Sequence, residues 1–176
     1  MTIAESFLHE FEHEAKTTRR FLERLPAGKL SWKPHEKSLS AGQLAFHIAS
    51  APAGIIGMAM ENEVPAPDFS RPFEEATSVD QVLAAHDASV ATVKSQLPKL
   101  TDAQMGQMWR AVKDGTPVFE LPRAAMIRNI LMNHIYHHRG QFGVYLRLLG
   151  AKVPSAYGPS GDEMPDFAKA KAGAAS

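Results

Sequence analysis

Four long stretches of the chain repeat apolar residues at the spacing of an α-helix, and this pattern constrains the fold more than any other feature. The stretches are residues 2–25, 41–61, 78–97 and 122–149. An amphipathic helix has to bury its apolar face against another element. Four such helices within a chain of 176 residues predict one packed unit, so we expect an all-α four-helix bundle.

Single residues at the ends of these stretches support the predicted helices. Ser40 and Ser78 stand where a hydroxyl can accept a first-turn amide, and Gly150 stands where a left-handed C-terminal cap is favoured. Pro98 stops the third helix. Pro52 lies inside the second stretch, where we expect it to kink the helix or to weaken one backbone hydrogen bond.

Two segments depart from the helical pattern. Residues 108–120 place apolar residues on both sides of Asp114-Gly115, which is a strong turn signal. This segment predicts a small β-hairpin or extended excursion before the last helix. Residues 64–78 contain three prolines and little periodicity, so we expect a loop that crosses the bundle surface.

The composition fits one globular unit and removes several classes of partner. Residues 1–165 are predicted to form a single domain, and the tail 166–176, which is low in apolar bulk, is predicted to fray. Basic and acidic residues both number 19, so no net charge favours a nucleic acid or an anionic membrane. The N-terminus lacks the features of a signal peptide, and no apolar stretch approaches the roughly 20 residues that cross a bilayer. We therefore expect a cytoplasmic protein with no nucleic-acid or membrane partner.

The chain contains no cysteine. This absence excludes disulfides, thiolate metal sites, iron–sulfur clusters and a catalytic thiol of the protein's own. Any bound metal must therefore use nitrogen and oxygen ligands, and the eight histidines become the main candidates.

Two histidine pairs have the His-x-x-x-His spacing that places both imidazoles on one face of a helix. His9 and His13 lie opposite the apolar stripe of the first stretch and are predicted to be solvated. His134 and His138 share the apolar face of the last stretch, with Arg139 on the far side, and are predicted to point into the bundle. The spacing alone is a weak signal among eight histidines, so the helical phase is what separates the two pairs.

His47 lies at the centre of the apolar face of the second stretch. Three inward imidazoles need polar partners, and one metal ion shared by His47, His134 and His138 would satisfy them, since bundle cores build metal sites from facing helices. A hydrogen-bonded core histidine is the alternative for each of these residues. His86 faces the core from the third stretch and is either a rival ligand, a core residue or a neighbour of the ligands.

Several motifs resemble those of the DinB/YfiT-like family. The segment from Asn133 to Gly150, which begins Asn-His-Ile-Tyr-His-His-Arg-Gly-Gln, resembles the family signature. Residues 40–49 resemble its first ligand helix, residues 32–38 the loop before that helix, and residues 154–163, with Tyr-Gly-Pro-Ser, its C-terminal motif. The matches fall in the family's order over nearly the whole chain, which makes the resemblance far more specific than His-x-x-x-His.

The resemblance implies a four-helix bundle, usually dimeric, with a metal ion on His47, His134 and His138. It leaves His137 outside the metal shell. Members of the family include thiol transferases that use bacillithiol or glutathione-like thiols and a mycothiol-dependent isomerase. We therefore expect a homodimer with a small molecule as its substrate.

Three neutral imidazoles leave at least one coordination position open, which is typical of a catalytic site. A divalent ion there, with zinc or nickel suited to imidazole, can lower the pKa of a bound thiol. Because the chain lacks cysteine, that thiol would be a separate low-molecular-weight molecule. The first hypothesis is a metal-dependent S-transferase that activates a small thiol for attack on an electrophile. Gln141, Tyr157 and His86 are candidate contacts of the ligands or of the substrate.

Two alternatives stay open at this point. A metal-bound hydroxide could drive hydrolysis, although no carboxylate is placed by its spacing to serve as the general base. The bundle could also be a non-catalytic metal-binding or stress-associated scaffold. Turnover with small thiols would separate the first hypothesis from the scaffold.

Overall fold

Long helices make up most of the described structure. The computed structural model describes residues 1–68 and 70–165, so the predicted frayed tail, 166–176, lies outside the described residues. The predicted all-α bundle is confirmed, and it carries a small sheet. Its helices are α1 (Ile3–Leu22), α2 (Ala41–Met60), α3 (Val79–Gln96), a short α4 (Asp102–Gly106) and a last helix in three consecutive segments, namely α5 (Arg123–Met126), a π-helical segment (Ile127–Met132) and α6 (Asn133–Leu148).

Serine caps begin two of the helices as predicted. Ser40 Oγ accepts a hydrogen bond from Gln43 N at 3.0 Å, and the Gln43 side chain accepts one from Ser40 N at 2.9 Å. Ser78 Oγ accepts from Gln81 N at 3.0 Å. Each bond satisfies an amide that has no partner inside its own helix. At the far end, Gly150 follows the last helix with φ +73°, a left-handed conformation that glycine adopts without a Cβ clash.

The helices pack in a ring in which α3 and α6 are each neighbours of both α1 and α2. Helices α1 and α2 are therefore diagonal to one another, as are α3 and α6. Two apolar clusters fill the interior. One includes Ile56 and Leu131 and continues under the sheet, and the other includes Leu44 and Phe142. In this arrangement the inner faces of α2 and α6 meet directly.

The structure shows how α2 accommodates Pro52. The proline has no amide to donate to the helix. In the same turn, Ala53 N donates to Oγ of Ser89 on α3 at 2.8 Å, so a side chain on the neighbouring helix takes up a backbone donor beside the proline. Ser89 is itself buried. Its bond to Ala53 joins α2 to α3 beside Pro52, where we expect the backbone hydrogen bonding of α2 to be weakened.

A three-stranded sheet covers one end of the bundle. Its strands are β1 (Glu63–Pro65), β2 (Met108–Lys113) and β3 (Thr116–Pro122). The predicted hairpin is confirmed, because β2 and β3 pair antiparallel around Asp114 and Gly115. Both turn residues have positive φ, 51° and 75°, as a two-residue hairpin turn requires.

The predicted loop over residues 64–78 is wrong at its start, where β1 pairs in parallel with β2. Arg110 N donates to Asn62 O at 3.0 Å and Ala66 N donates to Val112 O at 2.7 Å, and these bonds fix the register. A three-residue strand containing proline has almost no local signal. Its pairing depends on a strand far along the chain.

Two side chains attach the sheet to the end of α2. Trp109 Nε1 donates to the carbonyl oxygen of Met58 at 2.9 Å. The buried Arg123 guanidinium donates to the carbonyl oxygens of Ala59 and Gln104 and to the Asn62 side chain. Because the last carbonyls of a helix have no partner within it, these bonds both satisfy the end of α2 and hold the hairpin above it.

Helix α2 corrects the expectation that no apolar stretch is long enough to cross a bilayer. By length and composition alone this 20-residue helix could do so. In the structure, Leu44, Ile48 and Ile56 are buried within the bundle. Core helices of globular proteins share this all-round apolar character.

Candidate metal centre

The three histidines predicted as ligands lie together where α2 meets α6. Nε2 of His47 is 3.0 Å from Nε2 of His134, and one ring nitrogen from each of His47, His134 and His138 lies within 4.8 Å of the other two. All three side chains are half-buried. The ring centroids of His134 and His138, one helical turn apart, are separated by 4.4 Å.

The π-helical segment sets the direction in which α6 presents its histidines. Asn133 N donates to Arg128 O, five residues back, and this wider turn changes the phase of every residue that follows. His134 comes directly after the segment. Single π turns inside α-helices often accompany functional sites, and here one stands immediately before His134, the first histidine of the pair.

Burial keeps the three imidazoles neutral. It lowers the pKa of His47 to about 4, with a smaller contribution from His138. It lowers the pKa of His134 to about 3, aided by the neighbouring histidines, and it also lowers the pKa of His138. Metal-ligating histidines must be deprotonated, so all three are in the binding form at neutral pH.

Gln141 contacts one of the three histidines. Its side-chain oxygen lies 3.0 Å from Nδ1 of His138. An amide oxygen can only accept, so Nδ1 carries the proton and Nε2 keeps a free lone pair. A hydrogen bond of this kind commonly orients metal-ligating histidines.

Two aromatic side chains flank the cluster. The ring of Phe73 meets His47 edge to face, with centroids 4.9 Å apart. The exposed His137 ring lies 4.7 Å from that of His138 and is not among the three converging residues. Phe73 carries no local signal in the sequence, because it lies in a segment without periodicity whose position depends on tertiary packing.

His86 and Tyr157 lie elsewhere. Nε2 of His86 is 3.2 Å from the carbonyl oxygen of Ala15 on α1. Because α3 is diagonal to α6, His86 is a core residue away from the three histidines. Its Nδ1 has no hydrogen-bond partner among the described residues. Tyr157 donates to Glu14 at 2.9 Å and accepts from Arg139. Neither contacts the three histidines.

An apolar cavity of about 690 Å³ opens beside the cluster. His47 and His134 line it, together with Ala51, Gly54 and other residues of α2. Residues of the sheet, including Trp109 and Phe119, also line it. The sequence predicted the hairpin that carries these two rings, but no local signal showed that it would lean over the histidines.

The residues present fit a divalent metal ion. Three neutral imidazole nitrogens converge, a donor set that suits zinc, nickel and similar ions, and no carboxylate belongs to this cluster in the described ranges. Three protein ligands leave a position for a water or a substrate. His9 and His13, with the same spacing, are exposed on α1 as predicted and form no such group.

Known proteins share this fold and sequence pattern. The chain is 28% identical over 166 residues to the uncharacterised protein YrdA of Bacillus subtilis (strain 168), covering 92% of each chain. A solved DinB-like protein from Bacillus cereus ATCC 10987 has a TM-score of 0.67 at 24% identity, over 87% of this chain and 97% of that one. The DinB-like protein YjoA from Bacillus subtilis gives 0.66 at 20% identity, over 92% and 96%. A model of the DinB family matches residues 1–169, and the chain therefore belongs to the DinB family.

Proposed function

We propose that this protein binds one divalent metal ion on His47, His134 and His138 and transfers a small thiol to an electrophile. The observation that carries the proposal is the convergence of three neutral imidazoles, two of which, His47 and His134, line an apolar cavity. Such a pocket, with a few convergent polar groups, is the usual form of a small-molecule site. A purely structural metal site would be closed by a fourth protein ligand.

A divalent ion bound there would lower the pKa of a thiol beside it. The chain's own groups have supporting roles. His47 and His134 provide nitrogens in the cavity lining, Gln141 holds the His138 ring in one tautomer, and the apolar walls exclude water from the reacting atoms. Because the chain has no cysteine, the sulfur nucleophile comes from a separate small thiol.

The proposed transfer is a substitution. The sulfur of the thiolate forms a bond to the electrophilic carbon, and the leaving group departs with the electron pair of the bond that breaks. The proton of the thiol goes to solvent, since no carboxylate is among the described residues that line the cavity. Without a carboxylate among these residues, hydrolysis by a metal-bound hydroxide would lack a general base. We therefore favour thiol transfer over hydrolysis.

A test measures metal content and turnover on the same preparations. Wild type, His47→Ala and His13→Ala are reconstituted separately with zinc and with nickel, and assayed with bacillithiol, glutathione and cysteine against 1-chloro-2,4-dinitrobenzene. We expect thiol-dependent chloride release in wild type and His13→Ala, and none above background in His47→Ala. Metal binding without turnover for any thiol would favour the non-catalytic scaffold. The homodimer and the cytoplasmic location stay predictions.

A further inference from the structure

The lining of the cavity beside the histidines indicates what it accepts. None of the described residues that line it is charged, and apart from the two histidines its side chains are aliphatic, aromatic or thioether groups. The volume of about 690 Å³ is in the range of pockets that hold drug-sized molecules. A charged group placed there would lose its hydration without gaining a partner.

This chemistry distinguishes between the two reactants of the proposed transfer. Low-molecular-weight thiols such as glutathione and cysteine carry ionised carboxylate and ammonium groups. No lysine or arginine and no acidic residue stands among the described residues of the cavity wall to pair with them. The cavity therefore suits the second reactant, and the thiol must approach the histidines from their solvent side.

Small residues on α2 create the space. Ala51 and Gly54 follow His47 by four and seven residues, so all three lie along one face of the helix. A Cβ added at Gly54 would meet no atom within 4 Å. On the sheet, the rings of Trp109 and Phe119 stand edge to face with centroids 6.4 Å apart. Such rings offer both face and edge to another ring.

We propose that the cavity binds the electrophile, that this electrophile is a neutral, apolar, ring-containing molecule, and that Gly54 determines how large it can be. The role as electrophile rests on the proposed function, whereas the binding of a neutral apolar molecule does not. Gly54 acts here through the space that it leaves, with no part in the bond-forming step.

The binding claim is tested on the full-length protein without metal. The probe is N-phenyl-1-naphthylamine, an uncharged molecule whose fluorescence rises in apolar surroundings. Two variants form a matched pair, Gly54→Leu and Gly57→Leu, because both glycines are exposed on α2 with open space at the Cβ position, and only Gly54 lines the cavity. Leucine has the higher helix propensity, so both variants should fold, and circular dichroism checks this.

We expect saturable binding that Gly54→Leu weakens by about tenfold or more and Gly57→Leu by less than about twofold. In a Trp32→Phe background Trp109 is the remaining tryptophan, and the bound probe should quench its emission. Absence of saturable binding, or equal weakening by the two glycine variants, would overturn the proposal.

A second measurement separates this proposal from the proposed function. With a thiol that supports turnover, kcat/KM for 1-chloro-2,4-dinitrobenzene is compared with that for 4-chloro-3,5-dinitrobenzoate, which carries a carboxylate. We expect the neutral electrophile to be preferred by about 100-fold, and Gly54→Leu to lower its kcat/KM. Equal values for the two electrophiles would overturn the proposal while leaving thiol transfer intact. If no thiol supports turnover, thiol transfer fails and the electrophile role fails with it, and the probe titration alone then decides whether the cavity binds apolar molecules.

Discussion

Helix α6 has two faces whose polar side chains make different interactions. His138 lies on one face, and the next residue, Arg139, lies on the other. His134 and His138 face α2 with neutral rings and with nitrogen donors that converge on a common point. Arg139 faces α1, and its Nη2 lies 2.6 Å from Oε2 of Glu14. The ring nitrogens on the histidine face are available to bind a ligand, whereas the guanidinium N–H groups on the arginine face form hydrogen bonds within the protein. The first is therefore suited to function and the second to stability.

The arginine face joins three parts of the chain. The Arg139 and Glu14 side chains are only 3% and 7% exposed, and Arg139 Nη1 also donates to Glu14 O and to Thr18 Oγ1. The hydroxyl of Tyr157 donates to Glu14, and partial desolvation of this hydroxyl, together with the bond, raises the pKa of Tyr157. This network links α6, α1 and the C-terminal segment.

The largest expected effect is on the histidine face. His134→Ala should reduce the metal content from about one ion per chain to near zero, because two imidazoles cannot replace three convergent donors. The thermal midpoint of the metal-free variant should stay close to that of the metal-free wild type, since the residue is only half-buried. Elemental analysis and a thermal melt measure the two quantities. His9→Ala, in the exposed pair, is the control and should bind metal normally; equal metal content in both variants would contradict the assignment.

The arginine face should respond in the opposite way. Arg139→Met leaves the Glu14 carboxylate buried without its cation, and we expect a loss of about 3–5 kcal/mol in the free energy of unfolding. Metal content in the folded fraction should be unchanged. Urea denaturation measures the loss. Arg147→Met, which breaks the more exposed pair with Asp162, is the control and should cost far less stability, because solvent screens an exposed ion pair.

A double variant sharpens the same comparison. Glu14→Leu with Arg139→Met replaces both charges by apolar groups and should recover much of the lost stability, because it leaves no unpaired buried charge. A double variant as unstable as Arg139→Met would show instead that packing around Arg139, and not its charge, stabilises this face.

The sequence predicted the histidine face better than the arginine face. The His134/His138 spacing, the helical phase and the position of His47 are local signals, and the structure brings these residues together. The helical phase predicts Arg139 on the far side of the same helix, but the burial of its side chain against Glu14 depends on how α1 packs, which no local pattern encodes.

The same distinction holds for the rest of the fold. The serine caps and the Asp114-Gly115 turn are encoded by a few adjacent residues, and they were predicted correctly. Strand β1, the Phe73 ring against His47 and the placement of Trp109 over the cavity depend on long-range packing. The three converging histidines could therefore be predicted from the sequence, whereas the walls of the cavity beside them could not.

A smaller effect is expected from the residue that orients the histidine face. Gln141→Ala removes the acceptor of the His138 Nδ1 proton and should weaken metal binding by about tenfold, as loss of such partners commonly does. Gln141→Glu keeps an acceptor oxygen and should stay near the wild-type affinity. Competition with a chelator of known affinity measures both variants. An unchanged affinity in Gln141→Ala would show that packing alone orients the His138 ring.

The smallest effect concerns a partly exposed pair that joins α1 to the π-helical segment. Glu10 accepts from both terminal nitrogens of Arg128 at 2.7 Å and from the hydroxyl of Tyr136, and the bond from Arg128 is the main reason that its pKa falls from 4.5 to about 2. A carboxylate whose pKa is lower in the folded state stabilises the fold above its unfolded pKa, and this contribution disappears as the pH falls from about 4.5 to about 2. Glu10→Gln should therefore be less stable than wild type at pH 7. The difference should be about 1 kcal/mol or less, because both side chains are more than one-third exposed. Urea denaturation measures this difference, which should shrink at pH 3. A difference that stays constant with pH would mean that the geometry of the side chain, and not its charge, stabilises this contact.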